Sequence, residues 1–187
     1  MPIKVKAIIG STSSTSYNLK VVEFMRKRYA GKLEITPVFI NALEPFAIDI
    51  ENDPTPNVLD FKAEVADSDA VLFAVPEYNF SIPGTLKNAI DWMSRGELVL
   101  QGKPTFIIGA SMGNLGSVRA QQHLREILSN PNLAPAILPQ NEVYIGAVHA
   151  KLDADGTLTD EATVAFLDRV VDNFIKFYEK ETASANQ

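Results

Sequence analysis

Three stretches of this sequence hold side chains whose type and spacing suit chemistry. The first is "GSTSSTSYN", Gly10 to Asn18, with four serines, two threonines, no charge and no glycine after the first. Neither G-x-x-x-x-G-K-[ST] nor G-x-G-x-x-G is present. What remains is one glycine to leave a strand, then hydroxyl groups leading into a helix near Ser16. Free N–H groups and the positive dipole end at such a point attract an anion. Serine and threonine hydroxyls donate to phosphate oxygens, and Asn18 can donate through its amide. The stretch therefore reads as a site for a phosphate monoester. The competing reading is a Ser/Thr-rich turn whose N-cap serine serves only its own helix.

The second stretch is "VPEYNFSIPGTLKNAIDWMSR", beginning at Val75. Pro76 and Pro83 restrict the backbone on both sides of Glu77–Ile82. Tyr78 and Phe80 offer flat surface to a ring, and Asn79 offers both a donor and an acceptor. The alternative is a rigid loop packing its aromatics inward. The third stretch, "GASMGNLGSVRAQQHLR", sets Gly109, Gly113 and Gly116 around a strand-to-helix turn, where glycine permits close backbone approach. On its own it also reads as an ordinary βα turn. His123 and His149 are too few and too far apart for a metal site or a catalytic triad, and Trp92 reads as packing. Asp153 and Asp155 in "DADG" open like a calcium loop, but the remaining ligand spacing does not follow, so a turn is expected.

These stretches need elements to hold them. Five apolar or alternating runs predict strands at Ile3–Ile9, Leu33–Phe39, Asp69–Val75, Pro104–Gly109 and Glu142–Ala147. Helical spacing follows in between. Leu19, Val22, Met25 and Tyr29 form one stripe, Leu86, Ile90 and Met93 a second, and Ala120, Leu124, Ile127 and Leu128 a third. A shorter helix is predicted over Asn57–Ala66. The last segment carries Leu167, Val170, Val171, Phe174, Ile175 and Tyr178 on one face, opened by Thr159 with Asp160 and Glu161 in its first turn. "TASANQ" at the end reads as a frayed tail. The loop around "NALEPFAIDI" and "ENDPTPN" has no clear pattern.

Strands alternating with helices imply βαβ units and a parallel sheet. The class is α/β, a single flavodoxin-like domain over residues 1–187. It is a three-layer sandwich on a five-stranded parallel sheet of order 2-1-3-4-5. Ligands in such sheets sit beyond the carboxyl ends of the strands, near the reversal of strand order. The loops after strands one, three and four are therefore the ones to watch, and they are the three stretches above.

Composition narrows the function classes. Net charge is −6 with a pI near 4.9, which argues against a nucleic-acid binder. No cysteine is present, which excludes disulfides, cysteine-ligated metals and thiol catalysis, and fits a cytoplasmic protein. The strand beginning at Ile3 leaves no room for a signal peptide, and no apolar run approaches the roughly 20 residues that span a bilayer. A soluble chain without a membrane partner is expected.

"PEYNFSIPGTLKNAIDW" closely resembles the signature of the NADPH-dependent FMN reductase family, which includes quinone, azo-dye and chromate reductases. "GSTSSTSYN" stands in the place of that family's G-S-x-R-x-x-S-x-N loop. "GASMGNLGSVRAQQHLR" resembles its third flavin-side segment, and "DADGTLTDEATVAFLDRVVDNF" its C-terminal turn and helix. The similarity runs over essentially the whole chain.

The resemblance implies FMN as cofactor and NADPH or NADH as co-substrate. Ser11, Ser13, Ser16, Tyr17 and Asn18 would hold the FMN phosphate. Pro76, Glu77, Tyr78, Asn79 and Phe80 would border the isoalloxazine ring, and Ser111, Met112 and Gly113 would close its other side. It implies hydride transfer through flavin N5 to a small-molecule acceptor such as a quinone, azo compound, metal oxyanion or flavin, with no catalytic side chain. It also implies a homodimer or homotetramer, with Arg119 a candidate for a charged contact between subunits. Ser13 departs from the family arginine, which implies weaker FMN binding or a shifted nicotinamide preference. Two other readings share the residues: a flavodoxin-type electron carrier, and a flavin-free module binding a phosphorylated metabolite or a protein.

Overall fold

A computed structural model describes residues 1–185. Its elements run in the order β1 (Ile3–Ile9), α1 (Tyr17–Arg28), β2 (Leu33–Phe39), α2 (Pro56–Ala66), β3 (Ala70–Ala74), α3 (Gly84–Met93), β4 (Pro104–Ala110), α4 (Val118–Leu128), β5 (Ala136–Ile137), β6 (Val143–Ile145) and α5 (Glu161–Ala185). All strand pairs are parallel, in the order β2-β1-β3-β4-β5, with β6 also on β4.

The expected order is present, but the fifth position is shared. β5 pairs with Pro104 and Thr105 at the start of β4, and β6 pairs with Ile108 to Ala110 at its end. The run expected over Glu142–Ala147 is β6, shortened to three residues, and β5 was not anticipated. A strand of two residues leaves no alternation to read. At the opposite edge, β2 carries Pro37, which removes one backbone donor from an edge strand.

Alternation along the strands sends side chains to two cores. Val5, Ala7 and Ile9 of β1, with Leu72 of β3, face Val21, Val22 and Met25 of α1 and Leu167, Val171 and Phe174 of α5. Ile8, Val71 and Phe73 face Phe61 and Val65 of α2, Leu86 and Ile90 of α3, and Leu124 of α4. Period-two strands with helices on both faces require both cores to be apolar, and both are.

The patternless loop is held by α3. Asn88 donates to the Glu44 carbonyl at 2.9 Å and accepts the Phe46 N–H at 2.7 Å, while the buried Trp92 indole donates to the same carbonyl at 2.8 Å. The packing role expected of Trp92 therefore includes a hydrogen bond.

Two helix boundaries differ from expectation. α5 begins at Glu161 with Asp160, not Thr159, accepting the Thr163 N–H at 2.9 Å. It continues as helix through Ala185, so the expected tail is ordered over 182–185, and Asn186 and Gln187 lie outside the described residues. The "DADG" segment is a turn, with the Asp153 carboxylate accepting the N–H groups of Asp155 and Thr157 at 3.0 and 2.8 Å.

Candidate active site

Parallel register places the ends of β1, β3 and β4 side by side: Ile9 is opposite Ala74, and Ala74 opposite Ile108. The loops that leave these strands therefore emerge on one side of the sheet. Gly10 shows how closely they meet. A Cβ there would stand 3.0 Å from the Ala74 carbonyl, from Pro76 and from Leu86.

The first loop is built around its own hydroxyls. Ser16 caps α1, its Oγ accepting the Leu19 N–H at 3.2 Å. Ser11 Oγ accepts the Ser13 N–H at 3.2 Å, and Ser13 Oγ accepts the Thr15 N–H at 3.3 Å. The N–H groups of Ser11, Thr12, Ser14, Tyr17 and Asn18 have no protein acceptor among the described residues. Five free donors at the head of a helix exceed what an N-cap serine leaves behind, and they form a cradle suited to a phosphate.

Asn18 does different work from the phosphate donor read in the sequence. Its side chain is buried. Its Nδ2 donates to the Ala110 carbonyl at 3.1 Å and its Oδ1 accepts the Ala110 N–H at 3.0 Å. The amide thus ties the first turn of α1 to the end of β4. Tyr17 is half-buried, with Lys20 Nζ 5.4 Å from its ring centroid.

The second loop is a tight hairpin. Tyr78 and Ser81 exchange both backbone hydrogen bonds, at 2.9 and 3.0 Å. Asn79 and Phe80 between them have φ of 51° and 65°. Two central residues at positive φ are what a type I′ turn requires, and such turns favour Asn-Gly. Phe80 is a bulky side chain in a glycine position, the kind of local strain that collects at functional sites.

The result is aromatic surface turned outward. Tyr78 is 53% exposed and Phe80 69%, and Met112 and Leu115 on the neighbouring loop are 61% and 52% exposed. Four large apolar side chains in one locality signal a binding surface. Pro76 is buried at the base of the hairpin.

Glu77 bridges this hairpin to the third loop. Its Oε2 accepts the N–H groups of Arg119 and Ala120 at 3.0 and 3.2 Å, capping α4 from outside its own chain segment. The residue before α4, Ser117, has φ of 62° and makes no side-chain cap bond of its own. One carboxylate oxygen is thus given to the helix, while the residue also lines the cleft described below.

The third loop leaves β4 at Ser111, whose Oγ donates to the Gly113 carbonyl at 2.9 Å. Its backbone is laced to β6 and the segment after it through Ser111 N–H to Ile145 O, Val148 N–H to Ser111 O, and Ala147 N–H to Gly113 O, each 3.0 Å. Gly109 lets α4 approach, since a Cβ there would lie 1.8 Å from Ser117 Oγ. Among the described residues, the N–H groups of Met112 through Ser117, and those of Asn79 and Phe80, have no protein acceptor.

Between the second and third loops lies an open cleft of about 650 Å³, lined by Glu77, Asn79, Phe80, Ser111, Gly113, Asn114, Leu115 and Ser117. Five of these were picked out in the sequence. Asn114, Leu115 and Ser117 were not, although they directly follow Gly113. The volume matches that of ordinary cofactor sites. His123 is not in the cleft, but its Nδ1 lies 2.7 Å from Ser81 Oγ at the base of the hairpin.

A phosphate-sized donor cradle, exposed aromatic faces and a donor-lined cleft, all at the carboxyl ends of adjacent strands, match the parts of FMN. The residues present fit that group. Comparison with known proteins agrees. The family model for NADPH-dependent FMN reductase matches residues 3–150. A NADH-dependent flavin reductase subunit of Lactobacillus johnsonii is 38% identical over 183 residues, covering 95% of this chain and 98% of that one. A quinone reductase of Pseudomonas putida is 35% identical over 182 residues, with 96% of each covered. The solved structure of FerB, a flavoenzyme NAD(P)H:acceptor oxidoreductase from Paracoccus denitrificans, superposes with a TM-score of 0.86 at 37% identity, covering 96% and 98% of the two chains. The similarity runs along nearly the full length, and this chain belongs to the NADPH-dependent FMN reductase family.

Proposed function

We propose that the protein is an FMN-dependent NAD(P)H oxidoreductase acting on small-molecule acceptors of the quinone and flavin type. The observation that carries this reading is the joint arrangement of the phosphate cradle after β1 and the donor-lined aromatic cleft after β3 and β4. Relatives named as flavin and quinone reductases support it. FMN, when bound, would supply two-electron hydride chemistry between the nicotinamide and the acceptor.

The chain's own residues hold and tune. The hydroxyls of Ser11, Ser13 and Ser16, with the free N–H groups of the first loop, bind the phosphate, and Asn18 keeps that loop in register with β4. Asn79 and the free backbone donors of Phe80, Met112 and Gly113 would hold the ring's polar groups and stabilise negative charge arising there. Tyr78, Phe80 and Met112 give apolar contact, and Pro76 and Glu77 fix the hairpin that presents them.

We infer a homodimer or homotetramer from the exposed aromatic and methionine surface beside the cleft, and a cytoplasmic location from the absence of cysteine. No helix among the described residues is long and apolar enough to cross a membrane. The test is anaerobic mixing of FMN-loaded protein with NADH or NADPH, followed by a quinone. Bleaching of the flavin's visible absorbance by the nucleotide and its return with the quinone are expected. A flavin that the nucleotide leaves oxidised would refute the reductase in favour of an electron carrier.

A further inference from the structure

Arg119 opens α4 at the rim of the cleft. Its guanidinium carbon lies 4.2 Å from the centroid of the Phe80 ring, and half of its side chain is exposed. The nearest carboxylate oxygen, Glu77 Oε1, is 3.8 Å from Nη1, too far for a hydrogen bond. The other Glu77 oxygen receives the two N–H groups at the head of α4. That carboxylate therefore serves the positive end of the helix through hydrogen bonds and meets the guanidinium only as a longer ion pair. Among the described residues, the guanidinium N–H groups make no hydrogen bond.

The combination is specific. Stacking on an aromatic ring fixes the plane of a guanidinium and leaves its donors at the edge, in a fork that matches a pair of oxygens. Phe80 is itself held rigid, in a hairpin closed by two backbone bonds. A planar ligand lying against the exposed hairpin would have its rim within reach of that fork.

We propose that Arg119 is an oxyanion fork for a co-substrate seated at the Phe80 side of the cleft. Two sources share this chemistry: the phosphate of the nicotinamide nucleotide, and a carboxylate or ionised hydroxyl on an aromatic acceptor. The proposal rests on reading the cleft as the FMN site. In a chain of net charge −6, this local cation favours anionic over neutral partners.

The experiment compares FMN-loaded wild type, Arg119→Gln and Arg119→Lys on two matched pairs. One pair is a benzoquinone carboxylate and its methyl ester; the other is NADH and reduced nicotinamide riboside. Calorimetry of 2-naphthoate against 2-naphthamide gives a binding readout without turnover. For Arg119→Gln, kcat/KM for the charged member of one pair is expected to fall about tenfold, the scale of one charge-assisted hydrogen bond. The neutral member should stay within about twofold, and Arg119→Lys should fall between. The pair affected names the source of the oxyanion.

Equal change in both members, or no change in either pair, overturns the proposal. So does an altered oligomeric mass with an unchanged charged-to-neutral ratio, which would mark Arg119 as a subunit contact. Should the variants fail to fold, wild type alone decides: rising ionic strength must shrink the charged-to-neutral ratio, and a flat ratio overturns the fork. Retained FMN and turnover of the neutral pair keep the reductase reading intact whichever way the fork is judged, whereas wild type that fails to bind FMN ends that reading by itself.

Discussion

At the scale of single residues, Phe80 sets the character of the site. A side chain at φ of 65° opposes its own backbone by about 1–2 kcal/mol, and glycine would relieve that. Phe80→Gly is therefore expected to unfold at higher denaturant than Phe80→Ala, by about 1 kcal/mol, since both lose the ring but only one keeps a Cβ at positive φ. Both should show a raised KM for aromatic acceptors. Equal stability of the two variants would mean that the hairpin is unstrained. Asparagine followed by glycine announces such a turn in a sequence, whereas "Asn-Phe" does not, which is why Tyr78, Asn79 and Phe80 were legible as candidates but their backbone was not. Asn18 was legible as a residue of the first loop, but the use of its side-chain amide was not. Its amide suits a phosphate in chemistry, and only the three-dimensional neighbour Ala110, 92 positions away, shows where it is used.

At the scale of elements, caps carry the predictions. Glu77 closes α4 across 42 positions of sequence, and no local signal announces a cap drawn from another loop. Glu77→Ala leaves two helical N–H groups without their acceptor, a loss of about 0.5–2 kcal/mol by the usual range for cap removal. It should also loosen the hairpin, so FMN affinity falls with stability; a full-affinity variant would separate the two loops. Asp160, by contrast, was legible as an acid in the first turn of α5, off by one position. Hydrogen bonds from the Thr163 hydroxyl, then Lys151 and the Thr163 N–H, hold its carboxyl at about 2 against an ordinary 3.8. A depressed value means that the folded state favours the ionised form. The stabilisation is present above the unfolded value and disappears as pH falls through about 2. Asp160→Asn should therefore cost stability at neutral pH, and the gap between variant and wild type should narrow in acid melts taken from pH 5 downward. A gap constant across that range would contradict the assignment.

At the scale of the whole molecule, period-two strands and helical stripes made the parallel sheet and its order readable, because each burial pattern repeats over several residues. The shared fifth position escaped for want of such length. The cradle and cleft stand on one rim of a sheet buried on both faces, so a ligand bound there stabilises the folded chain as a unit. FMN at a hundredfold its dissociation constant should raise the unfolding free energy by about 2.7 kcal/mol. Riboflavin, which has the ring without the phosphate, should give clearly less at equal concentration, and identical shifts in thermal melts would remove the phosphate from the first loop.

Both margins of the sheet are short of backbone partners to offer. One carries Pro37, and the other is broken between Ile137 and Val143. Each side is therefore a poor template for a neighbouring chain to extend the ladder, which guards a concentrated solution of this protein against strand-by-strand aggregation. Self-association would then run through helices and loops, and the greasy side chains of Tyr78, Phe80, Met112 and Leu115 lie exposed on the same loops that frame the proposed ligand site.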